Sequence, residues 1–134
     1  MDKEDKKNKL LKISRVEFLE IKPIRNPNLK VVVSKDGETI AILPRKKEEK
    51  SGFISKLLKI PDEKKIMLDE IGTFVINLCD GKHSVREIVE ALHQKFKLNM
   101  EEAEAGLQIY LTQLSKRKIV GFILPDKMRE NEEY

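Results

Sequence analysis

Alternation of apolar and polar positions is clearest at residues 30–43. Lys-Val-Val-Val-Ser at 30–34 and Thr-Ile-Ala-Ile-Leu at 39–43 flank Lys35-Asp36-Gly37-Glu38. Asp-Gly is a preferred centre for a two-residue type I′ turn, so the pattern predicts a β-hairpin. With Asp36 and Gly37 as the turn, residue 33 pairs with 40 and residue 31 with 42. That register places Val31, Val33, Ile40 and Ile42 on one face and sets Lys35 opposite Glu38. Lys-Ile-Met-Leu at 65–68 has the length and flanks of a further short strand.

A period of 3.6 takes over after residue 68 and predicts three helices. Asp69 caps the first, whose stripe is Ile71, Phe74, Val75 and Leu78, and Asp80-Gly81 ends it. Ser84 and Glu87 form a capping box for the second, with Val85, Ile88, Val89, Leu92 and Phe96 on its stripe. Asn99 and Glu102 cap the third, which carries Ala103, Leu107, Tyr110, Leu111 and Leu114. Ile-Val-Gly-Phe-Ile-Leu at 119–124 reads as a closing edge strand.

The remaining segments are less regular. A short helix fits the stretch from Leu10 to Ile21, ending before Pro23, and Lys-Pro-Ile-Arg-Asn-Pro-Asn then reads as a loop. Phe53, Ile54, Leu57 and Leu58 have helical spacing, and 44–52 reads as a loop. Charged tails are expected at 1–9 and 126–134. The order predicts an α+β fold of winged helix-turn-helix type: an N-terminal β-hairpin and short strand, a three-helix bundle and a C-terminal strand. The domain is expected over 29–124, with its core at 64–124 and a charged tail and short helix over 1–28.

Composition narrows the chemistry. The chain has 134 residues, of which 37% are charged, with one Cys, two His and no Trp. Its length suits one domain. No run approaches the ~18 apolar residues of a membrane span, so no membrane role is expected. The N-terminus shows no apolar signal stretch, and a lone Cys fits a reducing, cytoplasmic setting.

The six glycines never come closer together than nine residues, which excludes a P-loop or dinucleotide fingerprint. The spacing of Cys79, His83 and His93 matches no metal site, so neither metal nor cofactor is expected. Cys79 follows a core stripe and reads as a structural thiol. Glu101, Glu102 and Glu104 open the third helix, where the dipole favours negative charge, so they read as helix-end residues rather than catalytic carboxylates. Nothing in the chain points to an enzyme.

Charge also bears on partners. Residues 1–65 hold 18 Lys+Arg against 11 Asp+Glu, and residues 66–134 hold 9 against 12. The helix-turn-helix pattern raises nucleic-acid binding as an alternative. Against it, the second helix balances Arg86 and Lys95 with Glu87 and Glu90, and the third opens with glutamates that repel phosphate. The strand at 65–68 suggests another partner. Pairing it with the hairpin leaves one edge open, able to accept an extended peptide through backbone hydrogen bonds. The third helix would wall that groove, with Tyr110 at the margin of its stripe beside Gly106 and Gln113. An open edge also makes a homodimer a candidate assembly.

Leu68, Gly72, Leu78-Cys79-Asp80-Gly81, Ser84-Val85, Glu87-Ile88-Val89, Ile109-Tyr110-Leu111 and Leu114 together resemble the coenzyme PQQ synthesis protein D (PqqD) family over about 64–124. The resemblance implies a non-enzymatic peptide-recognition element of the kind used in making ribosomally synthesised, modified peptides. Such modules bind the leader of a precursor peptide as an added strand, between the third strand and third helix. They present it to a modifying enzyme, often a radical SAM protein. On this chain the implied peptide-binding residues are Ile66, Met67 and Leu68 at the strand edge, with Leu107, Tyr110, Leu111 and Leu114 on the helix wall. The family commonly has Asp where this chain has Gly106, and its stand-alone members are shorter, lacking most of residues 1–60.

Overall fold

The computed structural model describes residues 13–44 and 63–126. The expected tails at 1–9 and 127–134, and the segments 45–52 and 53–60, lie outside the described residues. The elements in order are α1 (Arg15–Glu20), β1 (Lys22–Arg25), β2 (Lys30–Val33), β3 (Thr39–Pro44), β4 (Glu63–Leu68), α2 (Glu70–Leu78), α3 (Val85–Phe96), α4 (Met100–Lys116) and β5 (Val120–Ile123). Two antiparallel sheets result: β2-β3-β4, and a β1-β5 ribbon. The fold is α+β, as the pattern predicts.

The helix ends follow the local code. The Asp69 side chain accepts the Gly72 N–H at 2.6 Å. Ser84 and Glu87 complete a reciprocal capping box on α3. Asn99 accepts the Glu102 N–H at 2.7 Å. Each cap satisfies an amide that the helix itself leaves unpaired. A fourth cap at Ser14 and Glu17 starts α1, whose Phe18 and Leu19 enter the core.

The hairpin forms in a different register. Val33 pairs with Thr39, Val32 with Ile40 and Val31 with Ala41, one residue away from the register expected of a type I′ turn. The connection is the three-residue loop Lys35-Asp36-Gly37. It is closed by the Ser34 N–H donating to Glu38 O at 2.7 Å and the Gly37 N–H to Ser34 O at 3.0 Å. A type I′ turn needs positive φ at both central residues, whereas this loop needs it only at Gly37, where φ is +85°. A one-residue slip exchanges faces. Val31 and Val33 therefore share a face with Ala41 and Leu43, and Val32 shares the other with Ile40 and Ile42.

Four further expectations are corrected. Lys22–Arg25 is a strand, not a loop: it pairs with β5, a partner about a hundred residues away that no local signal reveals. β5 accordingly completes this separate ribbon and not the hairpin sheet. The most buried residues of α2 are Gly72, Val75 and Ile76. Of the expected stripe Val75 is in the core, Phe74 and Leu78 pack against it and Ile71 is exposed, because the apolar sector is wide and its centre lies on the Val75–Ile76 side. The short strand expected at 65–68 begins two residues earlier, at Glu63.

The core lies between the three-stranded sheet and α1–α4. It gathers Phe18, Ile21, Ala41, Leu68, Val75, Ile76, Cys79, Ile88, Leu92, Leu107, Leu111, Leu114 and Ile119. Each fully buried Leu or Ile contributes roughly 1.5–3 kcal/mol. Residues 21–26 fasten the turn between α2 and α3. Val85 N–H donates to Ile21 O at 2.8 Å, Gly81 N–H to Pro23 O at 2.9 Å and Arg25 N–H to Cys79 O at 2.9 Å. The Arg25 guanidinium also donates to Ile76 O and Asn77 O, satisfying carbonyls at the C-terminus of α2. Gly81 has φ +79°, and a Cβ there would lie 3.1 Å from Ile24 Cδ1, so turn geometry and crowding both require glycine.

Candidate functional site

Among the described residues β4 pairs only with β3, so its other edge is unoccupied. Which β4 residues aim their amides at that edge follows from alternation along antiparallel ladders. Ser34 and Glu38 form a hydrogen-bonded pair, so residues 38, 40 and 42 of the second hairpin strand turn their backbone groups toward β2. Residues 39, 41 and 43 then turn toward β4 and bond Leu68, Ile66 and Lys64. Glu63, Lys65 and Met67 are left directing N–H and C=O outward.

Side chains on β4 divide the same way. Leu68 is buried and Ile66 is partly buried against the core. Met67, opposite Ile40 on the outer face, is 65% exposed. Glu63 and Lys65 carry opposite charges 3.6 Å apart at the strand's beginning. The edge is thus charged in its first half and apolar in its second.

α4 shares the core with the apolar half of β4: Leu107 and Leu111 lie in the same buried cluster as Leu68, and Ile66 packs against it. One flank of α4 is anchored to α1, where the Arg15 guanidinium donates to both Glu104 carboxylate oxygens at 2.7 and 2.9 Å. Another flank reaches the β4–α2 junction through Tyr110. A Cβ on Gly72 would lie 2.6 Å from the Tyr110 hydroxyl oxygen and 3.1 Å from Asp69 Oδ1. Only a residue without a side chain leaves room for the phenol there. Burial, and secondarily the Asp69 carboxylate, push the Tyr110 hydroxyl above its ordinary pKa, so it stays a neutral donor at physiological pH.

Periodicity sorts the expected wall residues. Leu107, Leu111 and Leu114 are in the core, Leu111 with no exposed surface, because 107, 111 and 114 form the centre of the buried stripe. They support the wall from behind and are not on its surface. Tyr110, at the margin, is half-buried. Around the helix from it come Gly106, Gln113 and Ile109, of which Ile109 is 61% exposed. A Cβ at Gly106 would meet nothing within 4 Å, so no contact among the described residues accounts for this glycine. Ile109, one of the family-like residues but not expected on the wall, lies about 100° around the helix from Tyr110 and faces solvent.

The other candidate chemistry is structural. Cys79 is wholly buried, and desolvation pushes its thiol up to about 12, so it is neither a nucleophile nor a ligand at neutral pH. Asp80 accepts the Lys82 and His83 N–H groups and the His83 Nδ1–H at 2.9 Å, which ties the α2–α3 turn and holds its carboxyl well below the usual range. His93 is exposed and its Nδ1–H donates to Leu98 O, closing the α3–α4 link. Among the described residues, no cluster of three or more His, Cys, Asp or Glu is placed to hold a metal ion. Among those residues too, no helix is long and apolar enough to cross a membrane.

The described elements make an α+β domain in which the edge strand β4 leads directly into a three-helix unit. Residues 56–120 match the model of the family "Coenzyme PQQ synthesis protein D (PqqD)", and over that stretch the chain is a PqqD-like protein. Comparison with curated proteins and with solved structures gave no match. The matched stretch contains β4, α2, α3 and α4.

Proposed function

We propose that this protein is a non-catalytic adaptor that binds an extended precursor or leader peptide as an added strand on β4 and presents it to a modifying enzyme, a radical SAM protein being the kind expected. PqqD-like proteins are accessory rather than catalytic, and the family assignment carries this coarser part of the reading. The finer part rests on one observation. The outward backbone groups of Lys65 and Met67 lie on an edge without a partner among the described residues.

Main-chain hydrogen bonds to such an edge supply affinity for any extended segment. Selectivity then comes from side chains alternating against the Gly106, Ile109, Tyr110 and Gln113 flank. A small or flat apolar residue fits the space over Gly106, and the Tyr110 hydroxyl can donate to a peptide carbonyl. Lys64 and Lys65 at the head of β4 favour an acidic residue at that end of the peptide.

Packing and charge at the start of α3 weigh against the nucleic-acid reading. A groove-entering helix uses its N-terminal residues to reach bases. Here the start of α3 is fastened by a backbone bond to Ile21 and the preceding turn by bonds to Pro23 and Arg25, and the side chains exposed on its first turns, Arg86, Glu87 and Glu90, carry more negative than positive charge.

The test is Met67→Pro in the full chain. Proline removes an outward N–H while Ile66 and Leu68 keep their bonds to β3. Calorimetry with the leader half of a short peptide encoded beside this gene should show loss of binding with helical circular dichroism unchanged. Unchanged affinity in a folded variant overturns strand addition at β4.

A further inference from the structure

The sheet has a second edge, and its chemistry differs. Among the described residues β2 pairs only with β3. Its three consecutive valines are unusually bare: Val31 is 42%, Val32 41% and Val33 69% exposed. Val31 and Val33 point to the same side as buried Ala41, yet remain exposed, so β2 overhangs the helices that cover β3 and β4. Soluble proteins guard such edges with proline, inward charge, a bulge or a cover. Within β2 the only such feature is Lys30, at one end.

From this edge we infer that β2 pairs antiparallel with β2 of a second copy, about a two-fold axis at Val32, to make a continuous six-stranded sheet. The hydrogen-bond alternation that orients β4 also orients β2. Residues 30, 32 and 34 turn toward β3, leaving Val31 and Val33 to aim their N–H and C=O groups outward. An isologous pair must bring outward groups together. An axis at Val32 does so: Val31 of each copy faces Val33 of the other, and all four outward-facing residues exchange bonds. A one-residue slip would oppose outward residues to inward ones, and in one direction would also set Lys30 against Lys35.

Side chains agree with that axis. Val32, Ile40 and Met67 are directly opposite one another across β2, β3 and β4. Pairing at Val32 extends this apolar row through the second copy without a charge in it, and each Lys30 lies opposite a Ser34. Both β4 edges stay at the outside of the joined sheet. The contact is one strand wide, well short of the ~1,200–2,000 Å² typical of stable complexes, so the dimer is weak and fills only at high concentration.

Sedimentation velocity on the full chain tests this directly. The expected result is reversible dimer formation rising over a range from about ten micromolar to about a millimolar. Val33→Pro removes an outward N–H without touching the bonds to β3, and Val33→Lys places charge in the contact; each should weaken the dimer about tenfold or more. Val32→Cys adds a more specific readout. Opposed non-hydrogen-bonded residues sit ~4.5 Å apart at Cα, within disulfide range, so mild oxidation should link two copies. The same oxidation of Asp36→Cys should not, and buried Cys79 does not compete. A chain that stays monomeric throughout that range overturns the inference. So does a dimer insensitive to both Val33 variants, or one whose Val32→Cys form does not cross-link.

Discussion

β2 and β4 are the two edges of one three-stranded sheet, and their differences show how a fold assigns partners. Both leave alternate backbone groups unpaired among the described residues. β4 begins with a Glu63–Lys65 charge pair, which discourages indiscriminate pairing, and under the proposed function its apolar end is read together with α4. β2 has neither feature among the described residues: it is a ladder of exposed valines with no described helix alongside. An edge with a wall can select a foreign peptide, whereas an edge without one is best matched by its own copy. Backbone hydrogen bonding is common to both, so selectivity resides in what stands next to the strand.

The comparison breaks most sharply at the helix wall's support. Leu111→Ala removes a wholly buried side chain. It should cost about 2–5 kcal/mol by urea unfolding and impair peptide binding, because the wall loses its backing. Tyr110→Ala is expected to weaken peptide binding by roughly tenfold while leaving β2-mediated association unchanged, measured by calorimetry and sedimentation on the same samples. An equal effect on both would mean that the two edges are not independent.

Gly106→Ala sharpens the comparison further because its two expected effects have opposite signs. Glycine within a helix costs roughly 1 kcal/mol relative to alanine, and the new methyl meets nothing, so thermal stability should rise by about that amount. If the space over Gly106 seats a peptide residue, affinity should fall severalfold. A gain in stability with affinity intact would make the glycine an imperfection of the helix.

The smallest effect concerns pH and the turn far from both edges. Backbone N–H groups of Lys82 and His83, together with the His83 ring, hold the Asp80 carboxyl below its ordinary value. A depressed folded pKa stabilises the protein above the unfolded carboxylate pKa, near 4, and that contribution is lost as pH falls through the lower, folded value. Asp80→Asn should therefore lower the melting temperature slightly at pH 7 and flatten its fall on acidification. A melting curve with unaltered acid dependence would show that other carboxylates set it, Glu87 and Glu104 being similarly held low.

Helix boundaries were legible in the sequence because caps are local. Asp69, Ser84 with Glu87, and Asn99 each bond an amide three residues on, and no distant part of the chain is needed to see it. The hairpin was legible as an element but not in register, since one glycine suits both a two-residue and a three-residue turn. β1 was hidden by Pro23 and by a partner distant in sequence. At the candidate site, Ile66 to Leu68 could be placed on a strand edge, but which residue aims outward depends on the hairpin register. In α4 the apolar stripe announces the core first. Beyond that stripe come half-buried Tyr110, then Gly106, with Ile109 nearly opposite the core, and a helical pattern by itself marks none of them as a binding surface.

The most direct test of strand addition at β4 is a ¹⁵N-resolved NMR titration of the full chain with the same leader-half peptide, run in parallel with random duplex DNA at physiological salt. The account predicts peptide-dependent shifts at Lys65, Met67, Gly106, Ile109 and Tyr110, with slowed amide exchange at Lys65 and Met67 and no such response to DNA. Shifts confined to β2, or a response to duplex DNA alone along the basic N-terminal half, would contradict it.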